Sequence, residues 1–135
     1  MTRYLLDTNI VSYFVKGTND GLVNRTESGF KQQNIAISAV TRAELRFGIE
    51  MMDAKDKRRA RITLLLNDLP TLPWGSAAAD LFGQIKAQLQ RQGKPIGDLD
   101  TQIAAHALSE GLILVTHNTQ HFDRISGLKL EDWMV

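Results

Sequence analysis

Short apolar runs alternate with longer amphipathic segments along the whole chain. The first run, Tyr4-Leu5-Leu6, predicts a strand that stops at the polar trio Asp7-Thr8-Asn9 before apolar residues return at Ile10 and Val11. Asn9–Lys16 reads as a short helix ended by Gly17, and Asp20–Gln33 as a weaker one. Ile35-Ala36-Ile37 forms the next strand, with Ser38 as the cap of a helix from Val40 to Met52. Lys55–Leu69 is a basic-then-apolar helix that stops near Pro70, and Leu72-Pro73-Trp74 a strand held to a sheet edge by its proline. Ser76 caps a helix whose apolar residues Ala78, Leu81, Phe82, Ile85 and Leu89 keep a helical rhythm until Gly93. After a loop at Gly93–Gly97 comes a helix over Asp100–Glu110, closed by Gly111. Leu112–Val115 then has the unbroken apolar character of a buried parallel strand, and Leu128–Leu130 is a last short one.

Strands alternating with helices predict an α/β fold, a parallel sheet with helices on both faces. No repeat or linker divides the 135 residues, so residues 1–135 form a single domain. Cysteine is absent, which excludes a disulfide framework, a thiolate zinc site and a Cys nucleophile, and suits a reducing cytoplasm. No apolar run approaches the length of a membrane span. Asp7 interrupts what would have to be the apolar stretch of a secretory signal. The net charge of +1 neither demands nor excludes a nucleic-acid substrate.

Asp7 raises the chemical question. An ionised carboxylate at the end of an apolar strand must be paired, hydrogen-bonded or bound to a metal, and no cap or ion-pair partner stands near it in sequence. In open α/β sheets, ligands bind outside the carboxyl ends of the strands. Asp7 follows the first strand, and Asn118 lies two residues beyond a strand ending at Thr116. Asp98 and Asp100 open the helix that leads into that strand, and Glu44 lies one to two turns into the helix after the second strand. If these strands are neighbours, the groups gather at one edge. Each also has a structural reading: Asp100 as a helix cap, Asp98 in a turn, Glu44 in the capping-box pattern Thr41-Arg42-Ala43-Glu44. With Ser38 as the true cap, however, Glu44 falls inside its helix and needs a partner. Asp, Glu and Asn oxygens without His or Cys suit Mg²⁺ or Mn²⁺. Such an ion takes few carboxylates, leaves room for a substrate phosphate and supports phosphodiester cleavage.

LLDTNI at 5–10, ISAVTRAELRFG at 37–48, RQGKPIGDLDTQIAAHA at 91–107 and LVTHNTQHF at 114–122 resemble the PIN-domain ribonucleases, specifically the VapC toxins of bacterial VapBC toxin–antitoxin pairs. The closing LEDWM resembles the tails of one bacterial subgroup. The resemblance implies a PIN domain with a parallel sheet of about five short strands flanked by helices. It also implies a metal-dependent endoribonuclease that leaves 5′-phosphate and 3′-hydroxyl ends. The acidic site then maps onto Asp7, Glu44 and Asp100, with Asn118 at a fourth position where many members have Asp. Asp98 is an extra acid, an outer or alternative ligand. Thr8, Asn9 and Thr116 occupy positions that would orient carboxylates and waters around the ion. With Asn118 neutral, the expectation is one tightly held Mg²⁺ (or Mn²⁺), with a second arriving with RNA. Further implications are a homodimer, a tRNA anticodon stem-loop (the initiator tRNA) as substrate, and control by a cognate VapB-type antitoxin in a larger hetero-oligomer. The antitoxin would present a basic side chain to Asp7, Glu44 and Asp100.

Other signals carry less. His117 and His121 have a zinc-like spacing but no third ligand, so surface or RNA contact fits them better. His106 reads as a solvated or core-edge residue. KDKRRAR at 55–61 reads first as a solvated helix face and second as an RNA phosphate contact. Two alternative functions follow from the same residues. One is a catalytically degenerate module that only binds RNA or protein, which the intact acids oppose. The other is a metal-dependent phosphatase using Asp7 as nucleophile, whose D-x-D pattern is broken by Asn9.

Overall fold

Alternate residues of each strand send their side chains to opposite faces of one sheet. Leu6, Ile35, Ile37 and Val115 enter one hydrophobic core, and Leu5 and Leu114 enter a second. The computed structural model describes residues 1–135. Its elements are β1 (Tyr4–Leu6), α1 (Thr8–Lys16), α2 (Asp20–Gln32), β2 (Ile35–Ser38), α3 (Ala39–Met51), α4 (Lys57–Asp68), β3 (Thr71–Leu72), α5 (Ser76–Arg91), α6 (Asp98–Ser109), β4 (Ile113–Val115), α7 (Thr119–Phe122) and β5 (Leu130–Glu131). The strands run parallel in the order β3-β2-β1-β4-β5, with Tyr4 opposite Ile35 on one side and Ile113 on the other. Helices α1, α2, α3 and α4 cover the first core, and α5 and α6 the second. The five-stranded parallel α/β architecture agrees with the alternation in the sequence.

Differences cluster at element ends and on one helix face. The edge strand β3 stops before Pro73, whose missing N–H cannot join a ladder. Trp74 instead donates its indole N–H to the Gln102 carbonyl at 2.9 Å. Ser76 is the first helical residue of α5 rather than its cap; Gly75 holds that position without a side-chain bond. The α5 stripe also belongs to the core: Ile85 and Leu89 are buried, and Leu81 and Phe82 pack against them. Away from the chain termini, the exposed large apolar residues are Phe47, Met51, Leu64 and Leu99.

Helix α2 approaches β2 through Gly29. A Cβ at this position would overlap Ile35 Cγ2, well within the contact distance of two carbons, with two further Ile35 carbons at 3.3 and 3.4 Å. Gly29→Ala should therefore destabilise the fold by about 1–2 kcal/mol, although alanine gains about 1 kcal/mol of helix propensity. Urea unfolding of the two proteins checks this, and equal midpoints would show that Ile35 gives way freely.

Candidate active site

From β1 the sheet grows through β2 and β3 on one side, then the chain crosses over to β4 and β5 on the other. Doubly wound sheets open a crevice at such a reversal, outside the carboxyl ends of the strands. Asp7 directly follows β1, and Thr116-His117-Asn118 directly follow β4. The resulting cleft has a volume of about 250 Å³ and is lined by Asp7, Asn9, Tyr13, Thr116, His117 and Asn118.

Asp7 answers the question its position raised, and corrects one expectation. Its backbone N–H donates to the Val115 carbonyl at 3.1 Å, pinning it to β4. Its Oδ1 accepts the Ile10 N–H at 2.8 Å, so the strand-ending carboxylate is itself the N-cap of α1. Starting the helix at Asn9 hides this, because the helix begins at Thr8 and its cap lies one residue upstream. Capping does not require an acid so deeply placed, since Asn caps as well as Asp. Asp7 is only 5% exposed. Burial pushes its carboxyl up to about 6, against the hydrogen bonds from Thr116 and Ile10, and the charges of Asp100 and Glu44 push it the same way. Asp7 is thus a carboxylate short of a counter-charge.

Glu44 does not close a capping box. The Thr8 hydroxyl donates to its Oε1 at 2.7 Å and lies 3.2 Å from the Thr41 hydroxyl. This ties α3 to the first turn of α1. The Thr116 hydroxyl accepts the Asn118 N–H at 3.0 Å and, beside Asp7, favours the ionised form of its carboxyl. Asn118 caps α7 without using its side chain, and with Asn9 it lines the cleft.

Asp98 and Asp100 part company. Helix α6 begins at Asp98, after Gly97 at φ 84 and ψ 151, a conformation that glycine alone adopts easily. Residues two apart on a helix do not share a face. Asp100 Oδ2 meets His121 Nε2 at 3.2 Å, whereas Asp98 Oδ1 pairs with Lys86 Nζ at 3.0 Å in a separate crevice with Pro95 and Ile96. The structure does not bring Asp98 to Asp7.

The two loop histidines diverge as well. His117 Nδ1 lies 3.0 Å from Asp132, and His121 faces Asp100, so the H-x₃-H spacing makes no shared site. Tyr13 is the cleft residue that the sequence does not single out, and His121, which the sequence offers only as a surface or RNA contact, meets Asp100 instead. His121 rides on α7, a four-residue helix too short to show a period. Tyr13 lies one turn beyond Asn9, and with α1 capped by Asp7 that spacing places it on the cleft side.

In the basic run, Arg58 pairs with Asp56 and Arg59 reaches the carbonyls of Ile49 and Met52, so these two arginines serve the α3–α4 connection. Beside them a groove of about 350 Å³ runs between α1 and α4, lined by Val15, Lys16, Met52, Arg61 and Ile62 among others.

The donor set fits a hard divalent cation. Asp7, Glu44, Asp100 and Asn118 offer only oxygen from acids and an amide, and Asp7 feels the other two acids as repulsion. No three His, Asp or Glu side chains stand near enough here to share one ion. Each acid is held by a partner of its own: Asp7 by Ile10, Glu44 by Thr8, Asp100 by His121.

The raised carboxyl makes stability pH-dependent. Protonated Asp7 tolerates burial and ionised Asp7 does not, so the folded state binds its proton more tightly than the unfolded one. In EDTA, stability should be greatest below about pH 4 as far as this group is concerned, and should fall as pH rises from there through about 6. The loss is about 2–3 kcal/mol in total, since every tenfold gain in proton affinity on folding is worth about 1.4 kcal/mol. Asp7→Asn should flatten that window, and a slope unchanged in the variant would show that another group titrates there.

Comparison with known proteins places these features. The PIN domain family model matches residues 4–128. The chain is 41% identical to the tRNA(fMet)-specific endonuclease VapC of Shigella flexneri, over 98% of this chain and 99% of that one. It is equally 41% identical to ribonuclease VapC2 of Haemophilus influenzae, over 99% and 100% of the two chains. Among solved structures, DNA-bound VapBC from Salmonella typhimurium matches with a TM-score of 0.90 and 35% identity, over 98% of this chain and 99% of that one.

Proposed function

The chain belongs to the PIN-domain family, among the VapC ribonucleases of VapBC toxin–antitoxin pairs, and on that premise we propose that it cuts RNA at the Asp7 cleft with the help of Mg²⁺ or Mn²⁺. Asp7, Glu44 and Asp100 would hold the ion, with Asn118 at the margin of the site. The observation that carries this reading is the buried Asp7 carboxyl, which burial and two neighbouring acids leave in need of positive charge. When bound, the ion supplies charge for the scissile phosphate and acidifies a water. The residues of the chain do the rest. Thr8 and Thr116 fix the orientation of Glu44 and Asp7, so that little reorganisation is left for the reaction itself. The Asn118 and Asn9 amides can donate to phosphate oxygens, and Tyr13 and His117, ring centroids 6.1 Å apart, offer faces for an unpaired base.

The RNA is a tRNA, cut in its anticodon stem-loop, and the name of the Shigella relative favours the initiator tRNA. A cognate VapB-type antitoxin restrains the enzyme in the cytoplasm by placing an arginine against the acids, where its planar fork can bind two carboxylate oxygens. The groove between α1 and α4 gives the apolar part of that segment a seat. Phe47 and Leu99 flank an apolar depression of about 530 Å³ beside Glu44, and this face joins two copies into a homodimer. No helix is long and apolar enough to cross a membrane.

Purified chain should cleave initiator tRNA in Mg²⁺, stop on addition of EDTA and resume with excess Mn²⁺. Cleavage indifferent to EDTA would overturn the metal reading. Binding of RNA without cleavage in any divalent cation would favour the degenerate module. Inhibition by an antitoxin tail should vanish when its basic residues become alanine. Unchanged inhibition, with the metal still bound, would mean that the tail only covers the RNA groove.

A further inference from the structure

A buried hydrogen-bonded chain that none of the preceding chemistry uses links the two helices that carry Glu44 and Asp100. Ser38 ends β2 and caps α3, its Oγ accepting the Val40 N–H at 3.1 Å. The same oxygen lies 2.7 Å from Nδ1 of His106 on α6, far away in sequence. On its other side His106 Nε2 lies 2.6 Å from Glu110 Oε2, one turn further along. Ser38 is 0% and His106 1% exposed, while the Glu110 side chain, 42% exposed, reaches solvent. With a neutral imidazole, one proton arrangement satisfies every partner. Nε2–H donates to Glu110, Nδ1 accepts the Ser38 O–H, and the Ser38 lone pairs remain for Val40. The order Ser-His-Glu resembles a hydrolase triad, but a serine with no exposure cannot meet a substrate, so its role lies elsewhere.

That role follows from where the chain is anchored. Glu44 lies six residues beyond Ser38 on α3, and Asp100 six residues before His106 on α6, each about 9 Å along its helix. The hydrogen bond between Ser38 and His106 is therefore a fixed point from which both acid-bearing turns are measured. Losing it would leave a buried hydroxyl and a buried ring nitrogen unpaired, and the helices would shift to re-satisfy them. We infer that His106 is a positioning residue for the acidic site, setting through Ser38 the spacing of Glu44 and Asp100 on which cation binding depends. The inference rests on the metal-nuclease reading above.

Two substitutions at one position separate this from simple core packing. In His106→Asn the amide oxygen can occupy the place of Nδ1 and keep the Ser38 bond. In His106→Gln the amide reaches the place of Nε2, keeping Glu110 and losing Ser38. Mn²⁺ affinity is read directly by electron paramagnetic resonance, alongside thermal midpoint and RNA cleavage. His106→Gln and Ser38→Ala should each raise the half-saturating Mn²⁺ concentration about tenfold or more, while His106→Asn and Glu110→Gln stay near the parent. The double variant Ser38→Ala/His106→Gln should be no worse than either single one. Should His106→Gln fail to fold, Ser38→Ala against His106→Asn makes the same comparison. Lowered thermal midpoints with unmoved Mn²⁺ affinity would make the chain a core contact only and overturn the proposal. A parent protein that binds no Mn²⁺ would instead overturn the metal reading, and this inference with it.

Discussion

Asp7→Asn should leave a folded and more stable protein that no longer cuts RNA. The amide keeps what α1 needs, since Asn accepts the Ile10 N–H as well as Asp does. It discards what the fold tolerates poorly, an ionised group held up to about 6 by burial and by the charges of Asp100 and Glu44. Metal-free protein should therefore gain about 2 kcal/mol at pH 7.5, close to the full cost of ionising the buried group. Activity goes the other way. Changing groups that merely orient a metal ligand costs about 10–100-fold, so removing the charge of a ligand should exceed about 100-fold in cleavage rate. The two readouts protect each other, because a loss of activity alongside a gain in midpoint cannot come from unfolding. Full activity in purified Asp7→Asn would remove Asp7 from the site.

The second large effect distinguishes two acids that the sequence places side by side. Asp100→Asn should be as severe as the loss at Asp7, because Asp100 is close enough for Asp7 to feel its charge. Asp98→Asn should change cleavage little. Its carboxylate is mostly exposed and paired with Lys86, and a surface pair of that kind contributes about 0–1 kcal/mol. Single-turnover cleavage at saturating Mg²⁺ measures both. Equal losses would mean that Asp98 swings round to the ion.

Much of this was legible in the chain before any coordinates. Strand ends are where doubly wound sheets place chemistry, so Asp7 and Asn118 stood out from their positions alone. Glu44 stands out once Ser38 caps α3. Other features depended on element ends, which periodicity does not locate to the residue. Starting α1 one residue late concealed the capping role of Asp7. Starting α6 two residues late concealed that Asp98 and Asp100 lie on different faces. The four residues of α7 carry no period, so the contact of His121 with Asp100 had no signal. His106 reads as an edge residue because Ser38 meets it only through the packing of α6 against the end of β2, while its local partner Glu110, one turn along, points to the exposed side.

The metal reading requires Asp7, Glu44 and Asp100 to share one divalent cation, and anomalous diffraction from crystals grown in Mn²⁺ can see it. A manganese peak is expected in the cleft between β1 and β4, with oxygens of Asp7 and Asp100 as direct ligands and the His121 contact to Asp100 broken. A peak seated instead on His117 and Asp132, or none at millimolar Mn²⁺ with Asp100 still paired to His121, would contradict it.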